Sequence, residues 1–319
     1  MKFFTRLIIS LLLLPTLLYA QQYPNKTVKI IVPFAAGGPA DNYARFMAQR
    51  LQDELKQSFI VEDKPGAGSI IGTDFAAKSP ADGYTLLMMS NTQTVNESLV
   101  QNKPFQLMRD FVPVAPINYS DLVLVTNPKV PAKTLAELIA LVKASPGKYN
   151  YASSGNGTPY HMAGELFKSM AGLDITHIPY KGSSGARTDV IGGQVDMMFD
   201  AVTTMNEFVK ENKVQALATT GKNRSAIMPQ IPTVNEAGVP RYETTIWLGI
   251  MAPKGTPAEA VTILNNAIRK IISQGEVKDT WAKQGALPLI MSPSEFNKYL
   301  DADIAKWSAI VKSAGIKPD

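Results

Sequence analysis

Two glycine-rich segments of this 319-residue chain have the residue types and spacing needed to bind an anion. The first runs over residues 32–41 and the second over residues 149–161; each follows a short apolar segment and leads through a proline into an amphipathic one. Glycine lets the backbone approach a ligand closely, and a helix start presents unpaired N–H groups at the positive end of the helix dipole. A carboxylate or a phosphate is the natural guest of such a site.

Each segment also has a simpler interpretation. Gly37 and Gly38 turn the chain in the first segment, and Thr158 caps its own helix in the second. For either segment alone the residues leave both interpretations open. Two such helix starts in different halves of the chain favour ligand binding, because parallel α/β sheets bind ligands at the carboxyl ends of their strands.

The elements that must position these segments are strands alternating with helices. Apolar segments at residues 28–32 and 85–89 predict strands, and helical periodicity follows them, which is typical of an α/β fold with largely parallel sheets. Capping patterns predict helix starts at Thr134, Thr256 and Ser292. The chain length predicts about two domains.

The composition excludes several kinds of site. With no cysteine and only two histidines, the chain has no disulfide framework, no thiolate metal site and no cysteine nucleophile. The formal net charge is +5, without a block of basic residues, which does not favour nucleic-acid binding. We therefore expect no cofactor, no metal and no nucleic-acid partner.

The first twenty residues have the pattern of a secretory signal. Lys2 and Arg6 precede an apolar stretch over residues 7–18, and the segment ends at Ala20 before polar residues. The stretch is shorter than the roughly 20 residues that span a bilayer, so an uncleaved anchor is disfavoured. We expect cleavage near Ala20 and export as a soluble protein.

The remaining motifs are weaker indications of a binding or catalytic site. The glycines at residues 66–72 miss the dinucleotide-binding spacing, and those at residues 182–185 miss the spacing of a nucleophile elbow. Ser153 or Ser154 with His161 is the only conceivable nucleophile and base pair, and no acid to orient the imidazole is evident. His177 lies in an alternating strand pattern, which favours a structural role.

Several short motifs in a fixed order identify a family. They lie at residues 23–24, 31–38 with Asp41, 63–68, 81–86, 179–182, 192–196, 231–234 and 252–257. In this order and spacing the chain resembles the extracytoplasmic solute receptors of tripartite tricarboxylate transporters, also called Bug receptors. The resemblance covers essentially the whole chain after residue 20.

The resemblance implies a fold and a function. The fold is a two-lobed periplasmic binding protein, type II-like, in which each lobe is a mixed, mostly parallel sheet flanked by helices, with hinge crossovers. Residues 21–120 and 245–319 would form lobe 1, and residues 121–244 lobe 2. The function is that of a monomeric, non-enzymatic periplasmic receptor that passes a small carboxylate to integral membrane permease subunits. The alternatives are an exported serine-dependent hydrolase or transferase using the same cleft, and a pure interaction module.

The resemblance also implies ligand contacts from both lobes. The expected contacts are Phe34, Ala36, Gly37, Gly38, Asp41, Ser90 and Asn91 in lobe 1, and Ser153, Ser154, Gly155, Gly157, Thr158, His161, Tyr180 and Asp200 in lobe 2. Asp41 alternatively compensates the helix dipole, and His161 alternatively packs near its helix start. An acidic Asp200 at the cleft would favour a ligand with an amino group. The identity of the carboxylate stays open.

Overall fold

The structure is a computed structural model that describes residues 23–313 and 315–316. The predicted signal segment at residues 1–20 lies outside the described residues. The strands are β1 Val28–Val32, β2 Phe59–Asp63, β3 Thr85–Ser90, β4 Phe111–Thr126, β5 Asn150–Ser153, β6 Thr176–Pro179, β7 Met197–Ala201, β8 Gln215–Thr219, β9 Thr245–Pro253 and β10 Ala286–Pro288. The helices are α1 Pro39–Leu55, α2 Ile70–Ala77, α3 Asn91–Leu99, α4 Leu107–Asp110, α5 Leu135–Ala144, α6 Pro159–Ala171, α7 Ser183–Gly192, α8 Val202–Lys210, α9 Ala258–Ser273, α10 Gly275–Gln284 and α11 Pro293–Ser313; a short 3-10 helix, Ala67–Ser69, precedes α2.

The strands form two lobes joined by one long strand. The strand order is β2-β1-β3-β9-β4-β7-β5-β6, with β8 and β10 also pairing with β4. The two-lobed α/β fold with mixed sheets is confirmed. The parallel pairing expected for most of each sheet is found in the outer strands, β2-β1-β3 and β6-β5-β7, whereas β4 and β9 pair antiparallel with their neighbours.

The antiparallel pairing has a topological reason. β4 pairs with β9 up to Asp121 and with β7 from Leu122 onward, so it leaves one lobe and enters the other. The chain returns through β9, which begins at Thr245. A strand that leaves a lobe and a neighbouring strand that re-enters it run in opposite directions. The lobe limits at residues 120/121 and 244/245 stay a prediction, which this exchange of partners supports.

Each lobe has its own apolar core. In lobe 1, β1 and β3 pack against α1 and α9, with Trp281 of α10 fully buried beside Tyr43. In lobe 2, β5 and β7 pack against α5 and α6, and Phe167 and Phe199 meet edge to face. Burying such side chains contributes about 1.5–3 kcal/mol each. The cores hold the strand ends, and the loops that follow them, in place.

The predicted helix starts are mostly where the capping patterns place them. Thr134 accepts a hydrogen bond from the Glu137 amide at 3.2 Å and begins α5, and Ser292 accepts one from the Glu295 amide at 3.3 Å at the start of α11. The cap predicted at Thr256 is wrong. Its hydroxyl donates to the Pro253 carbonyl at 2.8 Å, so α9 begins at Ala258 without a side-chain cap.

Candidate functional site

A small cavity lies where the two lobes meet. It contains about 320 Å³ of space outside protein atoms, part of it open to solvent. Its lining comes from lobe 1 and from lobe 2 and consists of Phe34, Ala35, Gly38, Pro39, Ala40, Ser90, Thr92, Ser154, Pro159, Tyr160, Ser183, Ile246 and Leu248. Only about 20 Å³ of this space is wide enough to hold the centre of a water-sized sphere, so the cavity is narrow. Both glycine-rich segments therefore contribute to one cavity.

The first segment leaves its helix start uncapped. Gly38 is the N-cap of α1 and provides no side-chain cap, and Pro39 has no N–H group to offer. The Asn42 amide bonds to the Gly38 carbonyl at 3.0 Å. The amides of Ala40 and Asp41 precede it and have no partner within the helix. Since Gly38 to Ala40 line the cavity, this helix end is available to an anion.

Asp41 holds the first segment in shape. One carboxylate oxygen accepts a hydrogen bond from the Gly37 amide at 2.8 Å, and the other lies 2.6 Å from the Arg45 Nε. Gly37 has φ of +80°, a conformation that favours glycine. Asp41 is buried and does not line the cavity. Its geometry matches compensation of the helix end rather than ligand contact.

The second segment is capped by its own side chains. Thr158 accepts a hydrogen bond from the His161 amide at 3.4 Å and donates one to the Gly155 carbonyl at 2.7 Å. Pro159 follows at the first helical position. Thr158, Gly155 and Gly157 stabilise the loop, and Ser154, Pro159 and Tyr160 reach the cavity.

Two stacked imidazole rings, those of His161 and His177, hold the loop of the second segment in place. His161 Nδ1 accepts a hydrogen bond from the Gly157 amide at 3.1 Å, and its ring stacks on His177 at 4.2 Å. His177 Nε2 lies 2.6 Å from the Ser153 hydroxyl, and its ring also stacks on Tyr151. Burial and the neighbouring His161 lower the pKa of His177 to about 3. Ser153 is fully buried, and neither Ser153 nor His177 is among the lining residues of the cavity.

A third helix start, that of α7, lies at the cavity on the side formed by lobe 2. α7 begins after Gly182, which provides no side-chain cap, and Ser183 lines the cavity. This segment also touches lobe 1 directly. The Ala35 amide donates to the Lys181 carbonyl at 3.2 Å, and the Ser184 hydroxyl donates to the Ala36 carbonyl at 3.0 Å. The lobes are therefore in contact beside the cavity.

The contact between lobes depends on glycine. A Cβ placed on Gly182 would lie 2.6 Å from the Ala35 Cβ and 3.0 Å from the Ala35 amide nitrogen. A Cβ on Gly38 would lie 3.0 Å from the Ser183 hydroxyl oxygen. The starts of α1 and α7 thus lie side by side across the cleft, closer than larger residues would permit.

Asp200 is neutralised inside lobe 2. One of its carboxylate oxygens lies 2.9 Å from Arg187 Nε and 2.8 Å from Arg187 Nη2, and the other accepts a hydrogen bond from the Ala201 amide. Burial raises the pKa of Asp200, and the Arg187 guanidinium opposes that shift. Asp200 is fully buried and does not line the cavity, which does not favour contact with a ligand amino group; that contact stays a prediction.

The predicted contacts fall into two groups. Phe34, Gly38, Ser90 and Ser154 line the cavity. The structure does not bring the others to the lining: Ala36, Gly37, Asp41, Asn91, Ser153, Gly155, Gly157, Thr158, His161, Tyr180 and Asp200. Several of these hold the loops, such as Asn91, whose side-chain amide donates to the Thr245 carbonyl at 3.0 Å. Tyr180 donates to Asp189.

Sequence reasoning missed Tyr160, Ser183 and Thr92 as lining residues, together with Ile246 and Leu248 of β9. A signal existed for Ser183, because residues 182–185 combine glycine and serine, as the second segment does, shortly after β6 ends at Pro179. Ile246 and Leu248 carried no signal, since a buried strand and a cavity wall have the same apolar composition.

Two further observations concern the described residues. Within them, no group of three or more acidic or histidine side chains lies together in an arrangement that could hold a metal ion. None of the helices over the described part of the chain has the length and apolar character needed to cross a membrane.

Comparisons of the sequence and of the structure with known proteins point to the same family. Residues 43–316 match the tripartite tricarboxylate transporter family receptor. The chain is 38% identical over 300 residues to protein BugT of Bordetella pertussis, covering 93% of this chain and 92% of that protein. Among solved structures, a protein of R. palustris with adipate has a TM-score of 0.90 at 33% identity, covering 93% of this chain and all of that one. MatC from Rhodopseudomonas palustris with bound malate has a TM-score of 0.86 at 29% identity, over 91% of this chain and all of that one.

Proposed function

Because this chain belongs to the tripartite tricarboxylate transporter receptor family, we propose that it is a periplasmic solute receptor whose cavity between the lobes binds a small carboxylate. The related structures with adipate and with malate support a carboxylate as the class of ligand. The proposal includes export by a signal segment that ends near Ala20. It also includes a monomeric state and delivery of the ligand to integral membrane permease subunits.

The observation that carries this proposal is the uncapped start of α1 at the cavity. The Ala40 and Asp41 amides have no partner within the helix, and the helix dipole adds positive potential at that end. The lobe 2 residues Ser154, Tyr160 and Ser183 share the same cavity. A carboxylate there contacts both lobes only when they are closed, so binding stabilises the closed state.

The serine-dependent hydrolase is not favoured by this geometry. Ser153 is paired with His177, but the hydroxyl is fully buried and outside the cavity lining. A base must also have a pKa near the working pH, and that of His177 is lowered to about 3. We propose that the protein binds its ligand without converting it.

Gly182→Ala tests the proposal. The added methyl group would meet Ala35 of the other lobe, and Gly182 has an extended backbone with φ of 171° that alanine adopts easily. Such overpacking costs about 1–3 kcal/mol, so carboxylate affinity by calorimetry should fall by about 5- to 150-fold while the melting temperature without ligand stays unchanged.

Gly192→Ala is the matched control. It lies at the end of the same helix, and a Cβ there would meet no atom within 4 Å. This variant should bind like the wild type. Unchanged affinity in Gly182→Ala, or equal losses in both variants, would contradict binding by closure at this contact. Conversion of the ligand during the titration would contradict the receptor function.

A further inference from the structure

A second cavity lies between the lobes, at the strands that connect them. It contains about 970 Å³ of space outside protein atoms, part of it open to solvent. Tyr119 and Asp121 of β4 line this cavity together with Thr245 of β9, the end of α10, the start of β10 and residues 222–226, which follow β8. Since residues 222–226 belong to lobe 2 and α10 and β10 belong to lobe 1, the second cavity also spans both lobes.

The second cavity and the ligand cavity lie on opposite faces of β9. Side chains along a strand point alternately to its two faces. Ile246 and Leu248 line the ligand cavity, whereas Thr245 lines the second cavity and is paired with Asp121 of β4. The connecting strands therefore run between the two cavities. A rotation of the lobes about these strands that opens the ligand cavity narrows the second one.

Two carboxylates lie where the connecting strands pass from one lobe to the other. After Asp121, β4 exchanges β9 for β7 as its partner, and Glu243 comes two residues before β9 begins. Within the described residues, the Asp121 carboxylate accepts no hydrogen bond, and a Cβ on Gly221 would lie 2.4 Å from Asp121 Oδ1. Burial and the neighbouring Glu243 raise the pKa of Asp121 to about 6.

The basic residues of the second cavity belong to lobe 2, as Asp121 does. Lys222 and Arg224 line it and have exposed side chains. Arg224 is already paired with Glu236, with 2.9 Å between Arg224 Nε and Glu236 Oε2. Because these residues and Glu243 all lie on lobe 2, a movement of one lobe against the other does not bring their charges closer to Asp121.

Lobe 1 presents an uncharged surface to this cavity. It consists of the Tyr119 and Thr245 side chains and of the end of α10 and the start of β10, including Leu287, which is 48% exposed. Narrowing the cavity would move this surface toward Asp121 and remove water from its carboxylate without supplying an opposite charge. An ionised carboxylate opposes such a movement, and a protonated one does not.

We propose that Asp121 is a proton-binding switch between the two states of the lobes: its ionised carboxylate opposes opening, and its protonation permits opening. Because opening removes water from Asp121, the open state binds the proton more tightly than the closed state, so acid favours the open state. Ligand affinity should therefore rise with pH through the range around pH 6. The effect on affinity rests on the proposed function, whereas the effect on opening does not.

Solution X-ray scattering of the ligand-free protein tests the effect on opening. The radius of gyration of the wild type should increase as the pH falls from 8 to 5, because open lobes are farther apart. Asp121→Asn cannot ionise at this position and should keep the larger value at every pH. A wild-type radius of gyration that stays constant or decreases toward pH 5 would overturn the inference.

Calorimetry with adipate and with malate, the ligands in the related structures, tests the effect on affinity. The ratio of wild-type affinity to Asp121→Asn affinity cancels the titration of the probe itself. This ratio should be about 1 at pH 5 and about 3 to 10 at pH 8, since one unit of pKa difference between the open and closed states corresponds to a tenfold change. A ratio that does not rise with pH would contradict the switch.

Two further variants identify the groups responsible. Glu243→Gln removes the neighbouring charge, so the midpoint of the pH dependence should move to lower pH. Asp53 is exposed and lines neither cavity, so Asp53→Asn should behave like the wild type at every pH. The same midpoint in Glu243→Gln and the wild type, or a loss of pH dependence in Asp53→Asn, would count against Asp121. If neither adipate nor malate binds, the result counts against the proposed function, and the scattering experiment still decides whether the switch exists.

Discussion

The two glycine-rich segments have similar sequences, but the helix that follows the first is uncapped at its start and the helix that follows the second is capped. The first leaves the start of α1 uncapped and holds its turn with the buried carboxylate of Asp41. The second satisfies the start of α6 with the hydroxyl of Thr158 and rests on the stacked rings of His161 and His177. The lobe 2 counterpart of α1 is therefore α7, whose start after Gly182 is uncapped.

This difference shows that a glycine-rich helix start is not by itself an anion site. Whether its amides are free depends on the side chain at the N-cap, and a threonine there takes a bond that a ligand would otherwise make. Gly38 and Gly182 have no such side chain. The comparison leads to three predictions. They concern the histidine His177, which packs against the second segment, then the start of α1, and then the start of α6.

Acid should destabilise the protein through the second segment. The folded pKa of His177 is about 3, below the ordinary 6.5, so the unfolded chain binds a proton at mildly acidic pH when the folded protein does not. This contribution is fully present above about pH 6.5 and is lost as the pH falls toward 3, up to about 5 kcal/mol. Urea unfolding across this range measures it.

His177→Gln should flatten that dependence. The variant has no group at this position that titrates between pH 3 and 7, so its free energy of unfolding should change less with pH than that of the wild type. The comparison uses slopes, which separates titration from any loss of ring stacking at neutral pH. Identical slopes in both proteins would show that His177 does not carry the effect.

A cap installed on α1 should compete with the ligand. Gly38 has φ of −89° and ψ of 171°, the extended conformation of an N-cap, so Gly38→Ser can accept a hydrogen bond from the first-turn amides. Such a bond is worth about 1 kcal/mol. Carboxylate affinity by calorimetry should fall about 3- to 10-fold further than in Gly38→Ala, which adds the same Cβ near Ser183 without the hydroxyl. Equal affinities would show that the α1 amides do not hold the ligand.

Removing the cap from α6 should act on stability instead. Thr158→Ala loses the bond to the His161 amide and the bond to the Gly155 carbonyl, which should lower the free energy of unfolding by about 1 kcal/mol. Affinity should stay within about threefold of the wild type, because Thr158 does not line the cavity. Thr158→Ser, which keeps the hydroxyl, is the control. A loss of affinity larger than that of Gly38→Ser would reverse the assignment of the two segments.

Much of the scaffold was predictable from local pattern. The apolar segment at residues 28–32 is β1, and the proline after Gly38 begins α1, because strand alternation and helix-start chemistry are encoded by neighbouring residues. The antiparallel course of β4 and β9 was not predictable, because it follows from one strand crossing between lobes.

The site was predictable at the level of segments rather than side chains. Phe34, Gly38, Ser90 and Ser154, which lie at or after strand ends, line the cavity, and their contact with a ligand stays a prediction. The ion pair of Asp200 with Arg187 and the contact of Ser153 with His177 were not predictable from the sequence. The partners are 13 residues apart in the first pair and 24 residues apart in the second, and only the packing of the fold brings them together. Burial alone does not separate lining residues from loop-shaping residues, since Ser90 and Ser154 of the lining are as buried as Asp41.

A crystal structure of the protein with a bound carboxylate tests the central claim most directly. We predict a carboxylate oxygen within about 2.7–3.2 Å of the Ala40 or Asp41 amide nitrogen, with Ser183 of the other lobe against the same ligand. A carboxylate bound by the start of α6 alone, or by residues of one lobe only, would contradict the claim.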